Sequence, residues 1–99
     1  MARILVIEDN RDILANVLDY LQLKGFSVDC AQDGLSGLHL ASSGHYDLIV
    51  LDIMLPDTNG FDVLARMKAH PTLRTIPVIL LTAKAERESV ARGLAGGAD

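Results

Sequence analysis

Tryptophan is absent from the 99 residues, which include only two tyrosines, two phenylalanines, three prolines and one cysteine. The single thiol, Cys30, excludes an internal disulfide and a cysteine metal cluster. Because it alternates with Phe26 and Val28, it is expected to be a small buried residue rather than a reactive one. Basic charge is also scarce: 9 Lys and Arg stand against 13 Asp and Glu, for a net charge of −4. That balance lacks the basic patch that grips a phosphate backbone, so direct nucleic-acid binding is not expected. No apolar run approaches the roughly 18 residues of a membrane span. The amino terminus has no signal-peptide pattern, since Glu8 and Asp9 interrupt it, and a cytoplasmic chain without membrane association is expected. His39, His45 and His70 are scattered without ligand spacing and belong on helix surfaces or loops.

What is present is a folded composition, 49% hydrophobic and 22% charged, without repeats, low-complexity tracts or linkers. One domain over residues 1–99 is expected. Its organising stretch is Leu48 to Leu51, a continuous, partly β-branched apolar run that reads as a strand buried on both faces of a parallel sheet and that stops at Asp52. Ile4 to Ile7 is a second such run, ending in Glu8 and Asp9, and Val78 to Leu81 is a third, ending in Thr82 and Ala83.

Helical patterns fill the intervals. Asn10 or Asp9 can cap a helix with Ile13, Leu14, Val17, Leu18 and Leu21 on one face, stopped by Gly25. Phe26, Val28 and Cys30 then alternate as a half-exposed strand near the sheet edge. Leu35, Leu38 and Ala41 outline a second helix after Asp33, ending at Ser43-Gly44. Pro56 to Gly60 is a turn-rich loop in which Asp57 is expected to make a local Asx-type bond and Gly60 to relieve backbone crowding or start a helix. Phe61, Leu64, Ala65 and Lys68 outline that helix, and His70-Pro71 ends it. A last helix is expected from Glu86 and Glu88 onward, carrying Val90 and Leu94. Strand and helix alternate with short connections, so the class is α/β with a parallel sheet.

Glu8, Asp9 and Asp52 therefore come from the ends of two strands that this topology sets side by side, with Thr82 ending a third. Like charges in one pocket raise at least one carboxyl pKa, whereas a divalent cation holds all of them ionised. All-oxygen ligation points to Mg2+, which leaves positions for water or phosphate oxygens. On that reading Asp52 is a carboxylate nucleophile toward phosphorus, the Thr82 hydroxyl donates to a phosphoryl oxygen, and Ala83 leaves room for the group. Each residue also has a plainer role: Asp9 or Thr82 as a helix cap, Met54 as a loop side chain.

Four motifs carry a resemblance: Ile4-Leu5-Val6-Ile7-Glu8-Asp9-Asn10; Leu51-Asp52-Ile53-Met54-Leu55-Pro56 with Gly60; Pro77-Val78-Ile79-Leu80-Leu81-Thr82-Ala83; and Gly96-Gly97-Ala98-Asp99. In this order and spacing they resemble the receiver domain of bacterial two-component response regulators. The resemblance implies a flavodoxin-like doubly wound sheet of order 2-1-3-4, without the family's fifth strand and last helix. It implies that Asp52 accepts a phosphoryl group from a sensor histidine kinase, that Glu8, Asp9, Asp52 and the Met54 backbone carbonyl hold Mg2+, and that Thr82 is the switch hydroxyl. The parent would be a transcriptional regulator of the winged-helix class, and the chain itself no enzyme beyond slow self-phosphorylation and self-dephosphorylation. The family's phosphate-binding lysine would lie beyond Asp99, and Lys84 does not match it. With no fifth strand, Val78 to Leu81 would be an apolar sheet edge, and self-association is expected. The alternative is a phosphorylation-incompetent receiver acting as a self-associating interaction module. A third reading, an aspartate-nucleophile phosphohydrolase resembling the haloacid dehalogenase group, needs an acid two residues after Asp52, where Met54 stands.

Overall fold

Apolar runs and amphipathic stretches alternate along the chain, and in a computed structural model, which describes residues 2–81, each run becomes a strand of one sheet. The order is β1 (Arg3–Ile7), α1 (Arg11–Leu23), β2 (Ser27–Ala31), α2 (Gly34–Ser43), β3 (Leu48–Asp52), α3 (Gly60–Ala69), a 3-10 turn (Leu73–Thr75) and β4 (Val78–Leu81). The strands are all parallel and ordered β2-β1-β3-β4, a flavodoxin-like arrangement.

Residues alternate across a strand, so each central strand feeds two cores. Ile4, Val6 and Val50 face Leu14 of α1, while Leu5, Ile7, Ile49 and Leu51 face Ala41 of α2 and Val63, Leu64 and Met67 of α3. That double burial is why β1 and β3 read as unbroken apolar runs.

The caps match the expected chemistry. Asn10 accepts the Asp12 and Ile13 N–H groups at the start of α1, and Gly25, at φ +91, turns the chain out of it. Asn59 caps α3, which begins at Gly60. A Cβ on Gly60 would lie 2.3 Å from the Asp52 carbonyl oxygen, so this position admits only glycine without backbone movement.

Several sequence expectations are corrected. Cys30 is exposed, not buried: β2 stands at one end of the strand order among the described residues, and the α1 cluster gathers Ile4, Val6 and Val50 with Val28 rather than Cys30. On α2, Leu35 is 64% exposed, and the buried face is made by Gly34, Gly37 and Ala41; a Cβ on Gly37 would meet the Ile7 side chain at 2.5 Å, so the helix lies close on β1. The helix outlined by Phe61, Leu64, Ala65 and Lys68 forms as α3, and its buried residues are Gly60, Val63, Leu64 and Met67. All three histidines are exposed, as expected, and His70 Nδ1 accepts the N–H groups of Thr72 and Leu73. Thr82, Ala83, Lys84 and the expected last helix lie outside the described residues.

Toward the amino edge a polar network ties β1 and β2 to the segment that leads into β3. Arg3 pairs with Asp29 at 2.8 Å and lies over the Tyr46 ring at 5.0 Å; the Tyr46 hydroxyl donates to Asp29 at 2.8 Å. The Arg3 N–H donates to the Asp47 carboxylate, and the Asp47 N–H donates to the Arg3 carbonyl oxygen, both at 2.8 Å.

Candidate functional site

β1 and β3 are neighbours in the sheet although β2 intervenes in sequence, so their carboxyl ends flank the topological switch point where open α/β sheets bind ligands. Ile7 pairs with Leu51, which sets Glu8 and Asp52, the next residue of each chain segment, side by side. Glu8, Asp9 and Asp52 each offer one carboxylate oxygen, and these atoms lie within 4.8 Å of one another.

The three environments differ. Glu8 and Asp52 are buried, 1% and 3% exposed, whereas Asp9 is exposed. Glu8 Oε2 accepts the Asn10 N–H at 3.0 Å, but Oε1 is buried without a hydrogen-bond partner. Asp52 Oδ1 accepts the Met54 N–H at 3.3 Å. Burial pushes Glu8 up to about 7, with the neighbouring Asp52 adding to the rise. Asp52 is also raised, again by burial first, with the Met54 N–H opposing and the charge of Asp9 reinforcing it.

A buried oxygen without a partner, amid like charges, is what a cation would relieve. The donor set is all oxygen and anionic, the kind that suits a hard divalent ion such as Mg2+ or Mn2+ rather than a thiophilic metal. Asp52 is a buried carboxylate fixed by the end of the central strand β3. The remaining predicted residues are placed as follows. Met54 follows two positions later in the β3–α3 loop, its side chain 63% exposed. β4 brings Leu81 beside Asp52; Thr82 and Ala83 lie outside the described residues.

Two features were not foreseen from sequence. Asp57 does more than the expected local turn: Gly34 N–H donates to Oδ1 at 2.7 Å and Leu35 N–H to Oδ2 at 3.0 Å, and these bonds hold its carboxyl below the usual carboxylate range. Tyr46, pushed up to about 12 by burial and then by Asp29, anchors the opposite edge. Both contacts are long-range, 22 to 23 residues apart for Asp57 and 17 for Tyr46, and no local pattern signals them.

Comparison with known proteins agrees with this geometry. Residues 4–99 match the family model of the response regulator receiver domain. The chain is 42% identical over 97 residues to the transcriptional regulatory protein CusR of Escherichia coli K12, and 45% identical over 97 residues to DltR of Streptococcus agalactiae serotype III. Each alignment covers 98% of this chain and 42% of the relative, so the chain spans less than half the length of these curated proteins. Among solved structures, a Francisella response regulator receiver domain superposes with a TM-score of 0.88 at 30% identity, covering 100% of this chain and 80% of the other. The receiver domain of a Pseudomonas aeruginosa PAO1 sensor histidine kinase, with a magnesium ion coordinated in its active site cleft, gives 0.89 at 28% identity, covering 99% and 80%. Since the family match and these relatives extend over nearly the whole chain, the chain belongs to the response regulator receiver-domain family.

Proposed function

We propose that this chain, read as one receiver unit over residues 1–99, accepts a phosphoryl group on Asp52 from the phosphohistidine of a sensor histidine kinase. The observation that carries the reading is the cluster of Glu8, Asp9 and Asp52 at the β1/β3 switch point, with a buried Glu8 oxygen left without a partner.

An Asp52 carboxylate oxygen attacks phosphorus, the phosphorus–nitrogen bond of the donor breaks, and its electron pair stays on the imidazole nitrogen. An acyl phosphate on Asp52 and a free histidine result. Glu8, Asp9, Asp52 and the Met54 backbone carbonyl would hold Mg2+, which when bound supplies positive charge opposite the phosphoryl oxygens. Asn10 orients Glu8 through its N–H, and the Met54 N–H holds one Asp52 oxygen, leaving the other for attack. Thr82 and Ala83 are assigned by sequence position to a hydroxyl donor and to space for the group.

CusR and DltR are transcriptional regulatory proteins, and we assign the same kind of output, in the cytoplasm, to the whole protein of which this chain would be the receiver. No helix among the described residues is long and apolar enough to cross a membrane. A phosphohydrolase is disfavoured because the position two beyond Asp52 carries the exposed Met54 instead of an acid.

Magnesium-dependent labelling with acetyl phosphate, read by intact mass, tests the proposal: one phosphoryl adduct is expected, absent in Asp52→Asn and in EDTA. Labelling that survives Asp52→Asn refutes the acceptor. Self-association is the second reading, favoured by Ile79, 46% exposed on β4 at one end of the strand order among the described residues. Light scattering on the same sample tests it, and a monomeric mass at tens of micromolar counts against it.

A further inference from the structure

The loop that follows Asp52 is held at both base and tip. At its base the Gly60 N–H donates to the Ile53 carbonyl oxygen at 2.7 Å, and Met54 bridges to Asn59 in antiparallel pairing. At its tip Asp57 leaves its own segment and takes the first two amides of α2, Gly34 and Leu35. That helix already has a cap, Asp33, whose carboxylate accepts the Ser36 N–H at 2.7 Å and the Ser36 hydroxyl at 3.0 Å. The start of α2 is therefore capped without Asp57. What Asp57 adds is a two-bond link between α2 and the loop containing Met54. Gly34 permits the approach: a Cβ there would meet Thr58 Cγ2 at 2.3 Å and Asp57 Oδ1 at 3.3 Å.

We propose that Asp57 is a positioning residue for the cation site: by clamping the β3–α3 loop to the first amides of α2, it holds the Met54 backbone where a divalent ion bound by Glu8, Asp9 and Asp52 needs it. The inference rests on the cation-binding reading above. Met54 lies between the end of β3 and the pinned Asp57 three residues on, so its backbone is held from one side by the Asn59 bridge and from the other by the Asp57 pin, and releasing Asp57 loosens one of the two restraints. Coupling of this kind is reciprocal: if the clamp favours the cation, the cation favours the clamp by the same factor.

Two measurements on the whole chain test this. The first is magnesium affinity by calorimetry for wild type, Asp57→Ala, Asp57→Asn and Asp33→Ala. Asp57→Ala is expected to weaken binding roughly tenfold, the low end of the loss when a metal site's outer partner is removed. Asp57→Asn keeps an oxygen acceptor but not the charge and falls between. Asp33→Ala loosens the start of the same helix without touching the loop and leaves affinity unchanged. The second measurement needs no variant: added magnesium slows hydrogen exchange of the Gly34 and Leu35 amides. Wild-type affinity in Asp57→Ala overturns the clamp, as does equal loss in Asp57→Asn and Asp57→Ala, which is a charge effect, or equal loss in Asp33→Ala, which is a helix effect. Exchange at Gly34 and Leu35 that ignores magnesium also overturns it. A wild-type chain that binds no magnesium overturns the cation site and the clamp together, whereas normal wild-type binding with an indifferent Asp57→Ala removes the clamp alone.

Discussion

In magnesium-free buffer, folding stability is expected to fall as pH rises from 4.5 to about 7, because Glu8 titrates at about 7 in the folded chain and near 4.5 when free of its surroundings. Between those values the folded state keeps a proton that the unfolded state releases, so each step up in pH favours unfolding; above about 7 both forms are ionised and the curve flattens. The stabilisation present at low pH and lost through this window is about 2 to 3 kcal/mol, at 1.36 kcal/mol per pKa unit and with water reaching the cluster from the exposed Asp9 side. Circular dichroism in denaturant titrations is the natural assay, since no tryptophan is present for fluorescence. Glu8→Gln cannot ionise, so the difference between the two stability curves reports Glu8 together with its effect on the neighbouring Asp52. Magnesium is expected to restore most of the lost stability at about pH 8 and little at about pH 5, where it competes with protons for the same oxygens. A flat wild-type curve across the window, or an unchanged slope in Glu8→Gln, would refute the reasoning.

Other perturbations follow from packing. Gly60→Ala drives a Cβ into the Asp52 carbonyl oxygen and Ile53 Cα, backbone atoms that cannot turn aside, and is expected to cost about 3 kcal/mol in a denaturant melt. Gly37→Ala meets only the Ile7 side chain and gains helix propensity, so its net cost is about 1 kcal/mol or less; the reverse ranking would contradict the close approach assigned to Gly60. Tyr46→Phe removes a donor from the Asp29 carboxylate and is expected to lower stability by about 1 to 2 kcal/mol near neutral pH. Tyr46 and Arg3 hold Asp29 below its usual range, so that loss is expected to shrink as acid protonates Asp29; a loss that grows in acid would count against the bond.

The fold was legible where burial is two-sided. Ile4 to Ile7 and Leu48 to Leu51 announce themselves because both faces of β1 and β3 pack against helices, and the carboxylates that end them mark the edge that carries the acidic cluster. One-sided elements misled: Cys30 alternates correctly yet is exposed on β2, at one end of the strand order among the described residues, and Leu35 recurs at helical spacing on a helix that packs through its glycines. Apolar periodicity cannot see a face made of absent side chains. The candidate site followed the same division. Glu8, Asp9 and Asp52 are juxtaposed by strand order alone, whereas the bonds from Gly34 and Leu35 to Asp57 depend on the path of a loop, and loop paths have no periodicity to read.

The Arg3, Asp29, Tyr46 and Asp47 contacts lie toward the amino edge, while the crowded acids stand at the carboxyl edge. The sheet is thus braced by opposite charges at one edge and left with like charges at the other, so a change of charge at Asp52 would alter the edge where repulsion rather than pairing dominates.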